Sequence, residues 1–482
     1  MQITKKQTKF IIFISLLLAV ISVVSFIFNS WISTGFIIFI LICTTLIPLI
    51  VKNPVIGPML IGFFLTFERV PSVEVGGLDI RINFLIIFLT LIIYLSSQLY
   101  KQKLKFKFDP IRSSVILFLG LMLVSATQAI NLNRAITVIV SMGLMLCLYL
   151  VMSMILQKKE DLVFALKGLL WGALVSALFG LYQFFGDMIG LPISMTLLKT
   201  GYDSSTFGFA RVQAGAYEPL YFANYMFIPV FLILFLNLSG KIKEVFDKRL
   251  SITIAILLAI NFVLAISRGA FLAAGVTGLI LIVIQAKKIL TLKNVIIVVC
   301  FTLLTIGGVY FALLRSEPRA IDEFISHLMV EDRNDGESVV LRLSTSAEAV
   351  GIFSQNLLLG VGPGNFGPER EDYPKEPPEG GWPIVNNEYL EIAAEQGVVG
   401  IFGFLLLIVV IISRLIFVYR CSIDPIISDI SIALLFAFVA VLIQYATFST
   451  LYITHIWYLI GLIGAVCNIG LKQINDAKKI KS

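Results

Sequence analysis

Histidine is nearly missing from this chain: of 482 residues only His327 and His455 are histidines. So far apart in sequence, they supply no His-built metal centre. The five cysteines (Cys43, Cys147, Cys300, Cys421, Cys467) sit in apolar runs or a short loop, and none lies in the one long polar interval. Neither a disulfide framework nor a zinc site is implied. Charge is scarce as well, at 14% of residues against 58% hydrophobic, with a mean hydropathy of +0.95. That balance excludes an ordinary soluble globular protein. Also missing are a Walker A loop, a nicotinamide-type glycine fingerprint, a Ser-His-Asp set and an inverted repeat with matching broken helices. The net charge of +7 comes without a basic stripe of interleaved aromatics, so no nucleic acid is expected as a partner.

Long apolar runs are what the sequence has in abundance. A helix needs about 20 apolar residues to cross the hydrocarbon core, and about fourteen segments approach that length. They fall near 10–28, 35–51, 54–67, 83–99, 113–129, 135–156, 163–185, 217–237, 250–266, 269–286, 294–314, 397–418, 429–447 and 451–470. The third is short and opens on Pro54 and Pro58. Continuous rather than alternating runs predict helices, not barrel strands. The expected fold is an all-α polytopic bundle of about 12–14 spans.

Lysine placement sets the orientation. Lys5, Lys6 and Lys9 precede the first run, and the loops 101–107, 158–159, 241–248, 287–293 and 472–481 carry most other lysines, all on the side of the N-terminus. Lys199 and Lys375 fall opposite. This predicts a multi-pass protein of the cytoplasmic membrane with both termini cytoplasmic and the 315–398 interval extracytoplasmic. Four regions follow: N-terminal hairpins (1–170), a core with outer loop 186–216 (171–314), the large outer loop with short helices (315–398), and C-terminal helices with a short tail (399–482). The Lys-rich inner loop 100–112 is expected to rest on anionic membrane lipids.

The interval from Arg315 to Gly400 holds about half of all acidic residues, a turn series (Gly360, Gly362, Pro363, Gly364) and the run Asn386-Asn387-Glu388-Tyr389-Leu390. Helical spacing is expected over 338–356, which carries Arg342, and again from Asn386 through Gly397 into the next span. Residues 368–383 read as a Pro/Glu-rich loop. His327 reads as a surface residue sooner than a catalyst. Ser267-Arg268-Gly269 interrupts two apolar runs with almost nothing else polar nearby. An arginine there costs on the order of 3 kcal/mol at a helix centre and less at its edge. It is either a snorkelling turn residue or a ligand for phosphate oxygens, which a guanidinium grips in bidentate fashion. Arg211 and Glu218 precede Pro219, which suits a first helical turn; Arg211 is read as a lipid-phosphate contact or part of a site. Loop 68–82, with Glu68 and Arg81, reads as a solvated connector, and Tyr182 as an interface anchor.

Taken together, Arg211 with Pro219-Leu220-Tyr221-Phe222-Ala223, Ser267-Arg268-Gly269, Arg342, Gly360-Val361-Gly362-Pro363-Gly364-Asn365-Phe366 and Asn386-Asn387-Glu388-Tyr389-Leu390 with Glu395 and Gly397 resemble the O-antigen ligase and polysaccharide polymerase family of membrane glycosyltransferases. The resemblance spans about 170–470. It implies a metal-independent enzyme without a cofactor, using polyprenyl-diphosphate-linked oligosaccharides as donor and acceptor. The implied product is a teichuronic-acid-type or capsular polymer, and the implied protein partner class is an envelope-assembly flippase or chain-length regulator. Arg211, Arg268 and Arg342 are then the diphosphate-binding candidates. Ligases of the family often carry histidine where this chain has Asn386, and an amide is no base at neutral pH. Glu388, Glu391 or Glu218 takes the base role, or Asn386 only positions. This leans the reading to a polymerase, with ligation to a different acceptor and lipid-linked sugar transport as the alternatives. Asn386-Asn387 also reads as a helix N-cap pair.

Overall fold

A computed structural model of the chain describes residues 44–69, 72–75, 78–102, 109–204, 209–289, 333–370, 381–449 and 451–481. The runs 10–28 and 294–314, most of 35–51, His327, Lys375 and most of the 368–383 loop lie outside the described residues.

Among the described residues the architecture is a helical bundle with one small hairpin. After a helix over 44–52 come α1 (Ile56–Phe63), β1 (Ser72–Val75) and β2 (Leu78–Arg81). The long helices are α2 (Ile82–Tyr100), α3 (Pro110–Ser125), α4 (Leu132–Ile155), α5 (Lys159–Met188), α6 (Pro219–Leu238), α7 (Lys248–Leu264) and α8 (Arg268–Ile289). Then follow α9 (Arg333–Gln355), α10 (Glu388–Cys421), α11 (Pro425–Gln444) and α12 (Thr454–Lys481). Eight helical segments among the described residues are long and apolar enough to cross a membrane. The chain is a polytopic α-helical membrane protein.

Two expectations change. The 54–67 run is not a span: its helix is only 8 residues long, about 12 Å at 1.5 Å per residue. Loop 68–82 is no loose connector, because β1 and β2 pair antiparallel in it with Ser72 opposite Arg81. Glu68 is buried there, its Oε1 accepting from the Thr454 N–H at 3.0 Å. The Glu68 and Arg69 N–H groups both donate to the Gly215 carbonyl, so this loop is stitched to the segment before α6.

Local chemistry sets the helix boundaries. Asp109 caps α3, accepting from the Ile111 N–H at 3.0 Å, and Pro110 fills the first turn; Asp424 and Pro425 repeat the device at α11. Asn131 and Asp247 cap α4 and α7. Such side chains satisfy backbone donors that the helix itself cannot. Helices α6, α11 and α12 form the buried centre, with α2 largely exposed at the periphery. Gly168 and Gly172 of α5 let α1 approach: a Cβ at either would stand 2.1 and 2.3 Å from the Met59 and Phe63 carbonyl oxygens. Where the surrounding lipid is as apolar as leucine, close backbone packing of this kind holds helices together.

Helix α10 departs from the expected continuous helix. Gly397 takes φ 64 and ψ −163, dividing the 388–421 segment in two. The freed N–H groups of Val398 and Val399 donate to the carbonyls of Leu357 and Leu358. A side chain at 397 would collide with the Leu358 carbonyl at 2.4 Å, so glycine is required both by angle and by space. The glycine turn series meets the same helix: Val361 N–H donates to the Ala394 carbonyl at 3.0 Å and Gly362 N–H to the Glu395 carbonyl at 2.8 Å.

Candidate active site

Four segments converge at one end of the bundle. Arg211 lies in the stretch before α6. Its N–H donates to the Tyr202 carbonyl, and its Nη2 donates to the Ile266 carbonyl at 2.9 Å. Arg268 opens α8, where Ser267 Oγ accepts from the Ala270 N–H. The α7–α8 break turns on Ile266 at φ 45, a left-handed conformation that a β-branched residue rarely takes. Gly269 allows Thr447, beyond α11, to come within the space a Cβ would fill. Arg342 comes from α9, whose Thr345 hydroxyl binds the Val385 carbonyl at 3.1 Å.

These parts line a single cavity of about 110 Å³ containing Arg211, Arg268, Arg342, Glu218, Tyr202 and Thr447. Three guanidinium groups face one carboxylate there, and that carboxylate is engaged by Lys199 Nζ at 2.9 Å. The cavity is therefore cationic. Arg211 and Lys199 both lie over the Tyr202 ring, at 5.5 and 5.6 Å. Burial, reinforced by neighbouring Glu218, pushes the Tyr202 hydroxyl above the usual phenol range, so it stays a hydrogen-bond donor at neutral pH.

The other carboxylates take different places. Glu391, on the first turn of α10, is buried, and its Oε2 accepts from Ser449 Oγ at 2.7 Å and the Val385 N–H at 3.3 Å. It lines a second cavity of about 150 Å³ with Arg134, Tyr221, Glu395, Ser449 and Tyr452. Glu395 is braced by the Gly364 N–H at 2.7 Å and the Phe366 N–H at 3.2 Å. Glu388 lines neither cavity: it is buried and accepts from the Leu451 N–H at 3.0 Å. Asn386 takes φ 58 in the turn before α10 and also lines neither cavity. The cap of α10 is Asn387 alone, accepting from the Leu390 N–H at 3.2 Å; the expected pair reduces to one residue because Asn386 is turned out of the cap position.

The two cavities share walls. Leu220 and Thr447 face the first, while Tyr221 and Ser449 of the same two segments face the second. Between them Phe448 packs edge-on against Tyr221, centroids 5.0 Å apart. Arg134, Ser449 and Tyr452 were not singled out from sequence as site residues, and Tyr221 and Glu395 entered only among the residues of the resemblance, with no role. For Glu395 the spacing is a further signal, at i+4 from Glu391 on one helix face. Gln183 was also missed: buried in α5, it accepts from the Ala214 N–H at 2.8 Å and donates to the Ala214 carbonyl at 3.0 Å, shaping the approach to Arg211. Tyr182 is exposed and stacks on Phe179, as an interface residue would. Among the described residues no three His, Cys, Asp or Glu side chains gather in ligand geometry.

No curated protein matches the chain. The family model described as O-antigen ligase matches residues 253–405, a stretch holding Arg268, Arg342, the glycine turns and the start of α10, with Arg211, Glu218 and Arg134 outside it. Over that stretch the chain is similar to the O-antigen ligase family.

Proposed function

We propose that the protein polymerises polyprenyl-diphosphate-linked glycan units at the outer face of the cytoplasmic membrane. One observation carries the reading: Arg211, Arg268 and Arg342, from three separate segments, reach one cavity at an end of a membrane-embedded bundle. A dianionic diphosphate needs that charge density, and guanidinium forks match its oxygens. Its lipid tail needs the apolar exterior of the bundle.

In this scheme the acceptor hydroxyl oxygen attacks the anomeric carbon of the donor sugar. The bond from that carbon to the diphosphate oxygen breaks, and polyprenyl diphosphate leaves with the bonding pair. The arginines neutralise the charge that develops on the leaving oxygen, the role for which fixed cationic donors are most effective. No metal is required in the scheme. The hydroxyl proton passes to Glu391, the one of the three candidate carboxylates that faces the second cavity. Glu218 is engaged by Lys199 on the arginine side, where it limits the positive charge and orients Tyr202. Lysine-bearing loops opposite the cavity favour cytoplasmic termini.

The test is reconstitution in proteoliposomes with a lipid-linked oligosaccharide. A ladder of lengthening lipid-linked chains supports polymerisation, and its loss in Arg268→Ala and Arg342→Ala supports the arginine site. A single transfer to a non-lipid-linked acceptor would replace the polymerase reading with ligation. Movement of intact units across the bilayer without bond formation would replace both with transport.

A further inference from the structure

The second cavity differs from the first in lining, with one guanidinium in place of three. Glu391 and Glu395 set two carboxyl groups beside the single guanidinium of Arg134. The carboxylates are preorganised by Ser449 and by the N–H groups of Val385, Gly364 and Phe366. Arg134 is held by the Gly364 carbonyl at 2.7 Å and lies over the Trp382 ring at 5.8 Å. Tyr452 supplies a phenol that burial and the nearby carboxylates keep protonated. Val138 and Phe366 complete an apolar wall. A second diphosphate would find one guanidinium here in place of three. Vicinal hydroxyl groups, by contrast, find fixed carboxylate acceptors on one side, phenol and guanidinium donors on another, and an apolar surface for the C–H face of a ring.

We propose that this second cavity is a subsite for one uncharged pyranose ring of the acceptor chain, separated from the donor diphosphate by the Tyr221–Phe448 pair. The assignment rests on reading the first cavity as the diphosphate site. The difference in lining sorts the two ligands: the anionic head is drawn to the three guanidinium groups and the neutral ring to the cavity that holds one. It also sets specificity, since a hexuronate would crowd its carboxylate against the carboxyl groups of Glu391 and Glu395. With the ring seated there, an acceptor hydroxyl stands beside Glu391 and beside the partition that faces the arginines.

Saturation-transfer NMR on the purified full chain tests this with glucose, N-acetylglucosamine and glucuronate as probes, and with farnesyl diphosphate as a separate probe of the arginine cavity. The expected result is saturation of glucose or N-acetylglucosamine and weaker saturation of glucuronate. Ile384→Trp, at the half-exposed rim, and Val138→Phe, on the α4 wall, both fill the cavity. Each is expected to weaken sugar binding by about tenfold while farnesyl diphosphate affinity stays within about twofold. The proposal is overturned if the wild-type chain shows no sugar saturation, if glucuronate is preferred, or if sugar binding survives in a filled variant with unchanged melting temperature. Failure of the arginine reading shows up separately, as no farnesyl diphosphate binding to the wild-type chain, and leaves the sugar measurements readable.

Discussion

Replacing Glu391 by glutamine isolates the proposed base. The carboxylate is fixed through Oε2, which accepts from Ser449 Oγ at 2.7 Å and the Val385 N–H at 3.3 Å. Glutamine keeps an acceptor oxygen for both donors, so the turn before α10 is retained and only basicity is removed. A positioned general base contributes about 10²- to 10⁴-fold, which is ~2.7–5.4 kcal/mol of barrier. Glu391→Gln is therefore expected to lower single-turnover glycosyl transfer by that factor, with farnesyl diphosphate affinity unchanged. Glu388→Gln is the control: its carboxylate accepts from the Leu451 N–H at 3.0 Å and lines neither cavity. Weakening a hydrogen bond to a charged group costs at most about 1.5–3 kcal/mol of stability, read as a lower melting temperature with transfer largely preserved. Equal losses of transfer in both variants, or full activity in Glu391→Gln, would refute the assignment.

Gly397→Ala forces a Cβ against the Leu358 carbonyl at 2.4 Å and holds a non-glycine residue at φ 64. A loss of at least about 1–3 kcal/mol is expected, visible in thermal melts of detergent-solubilised protein. Asp109→Ala removes a helix cap and strips partners from Tyr149 Oη and Asn468 Nδ2, at 3.0 and 3.1 Å; about 2–4 kcal/mol is expected from the cap and the stranded donors, by the same measurement. Burial raises the Glu68 carboxyl above its ordinary range, against the opposing pull of Arg81 and Thr454. A carboxyl raised on folding favours the fold most fully below its unfolded pKa and loses that contribution as pH climbs through the folded value. Glu68→Gln should therefore gain stability over the wild type progressively from acidic to neutral pH. A difference that stays flat with pH would show that Glu68 titrates as it does unfolded.

Run lengths made the bundle legible, because a backbone in lipid must satisfy its own hydrogen bonds and a long apolar run leaves only the helix. Pro219 marked a helix start in sequence as in structure, whereas the runs placed near 113 and 429 begin a turn earlier, where Asp109-Pro110 and Asp424-Pro425 cap α3 and α11. The 54–67 run misled, since its apolar residues serve packing of the short α1 against Gly168 and Gly172 and not a crossing. Loop 68–82 misled for the opposite reason: its charged residues looked solvated, yet Glu68 is buried against the N-terminus of α12.

For the site, a permanent charge beside an apolar run drew attention to Arg268 and Arg211, and the family resemblance added Arg342. Nothing in one sequence orders the carboxylates. Glu388 and Glu391 are three residues apart, yet one turns to the Leu451 N–H and the other to a cavity, a choice made by the packing of the 445–453 segment on α10. Arg134, from a helix more than two hundred residues earlier, carries no local mark of its role and meets Gly364 only because α3, which precedes its helix, packs on α10 while α4 packs on α12. Local sequence thus determined which groups could bear charge and where helices begin. The tertiary structure decided which of those groups share a cavity, since that depends on contacts between segments distant in the chain.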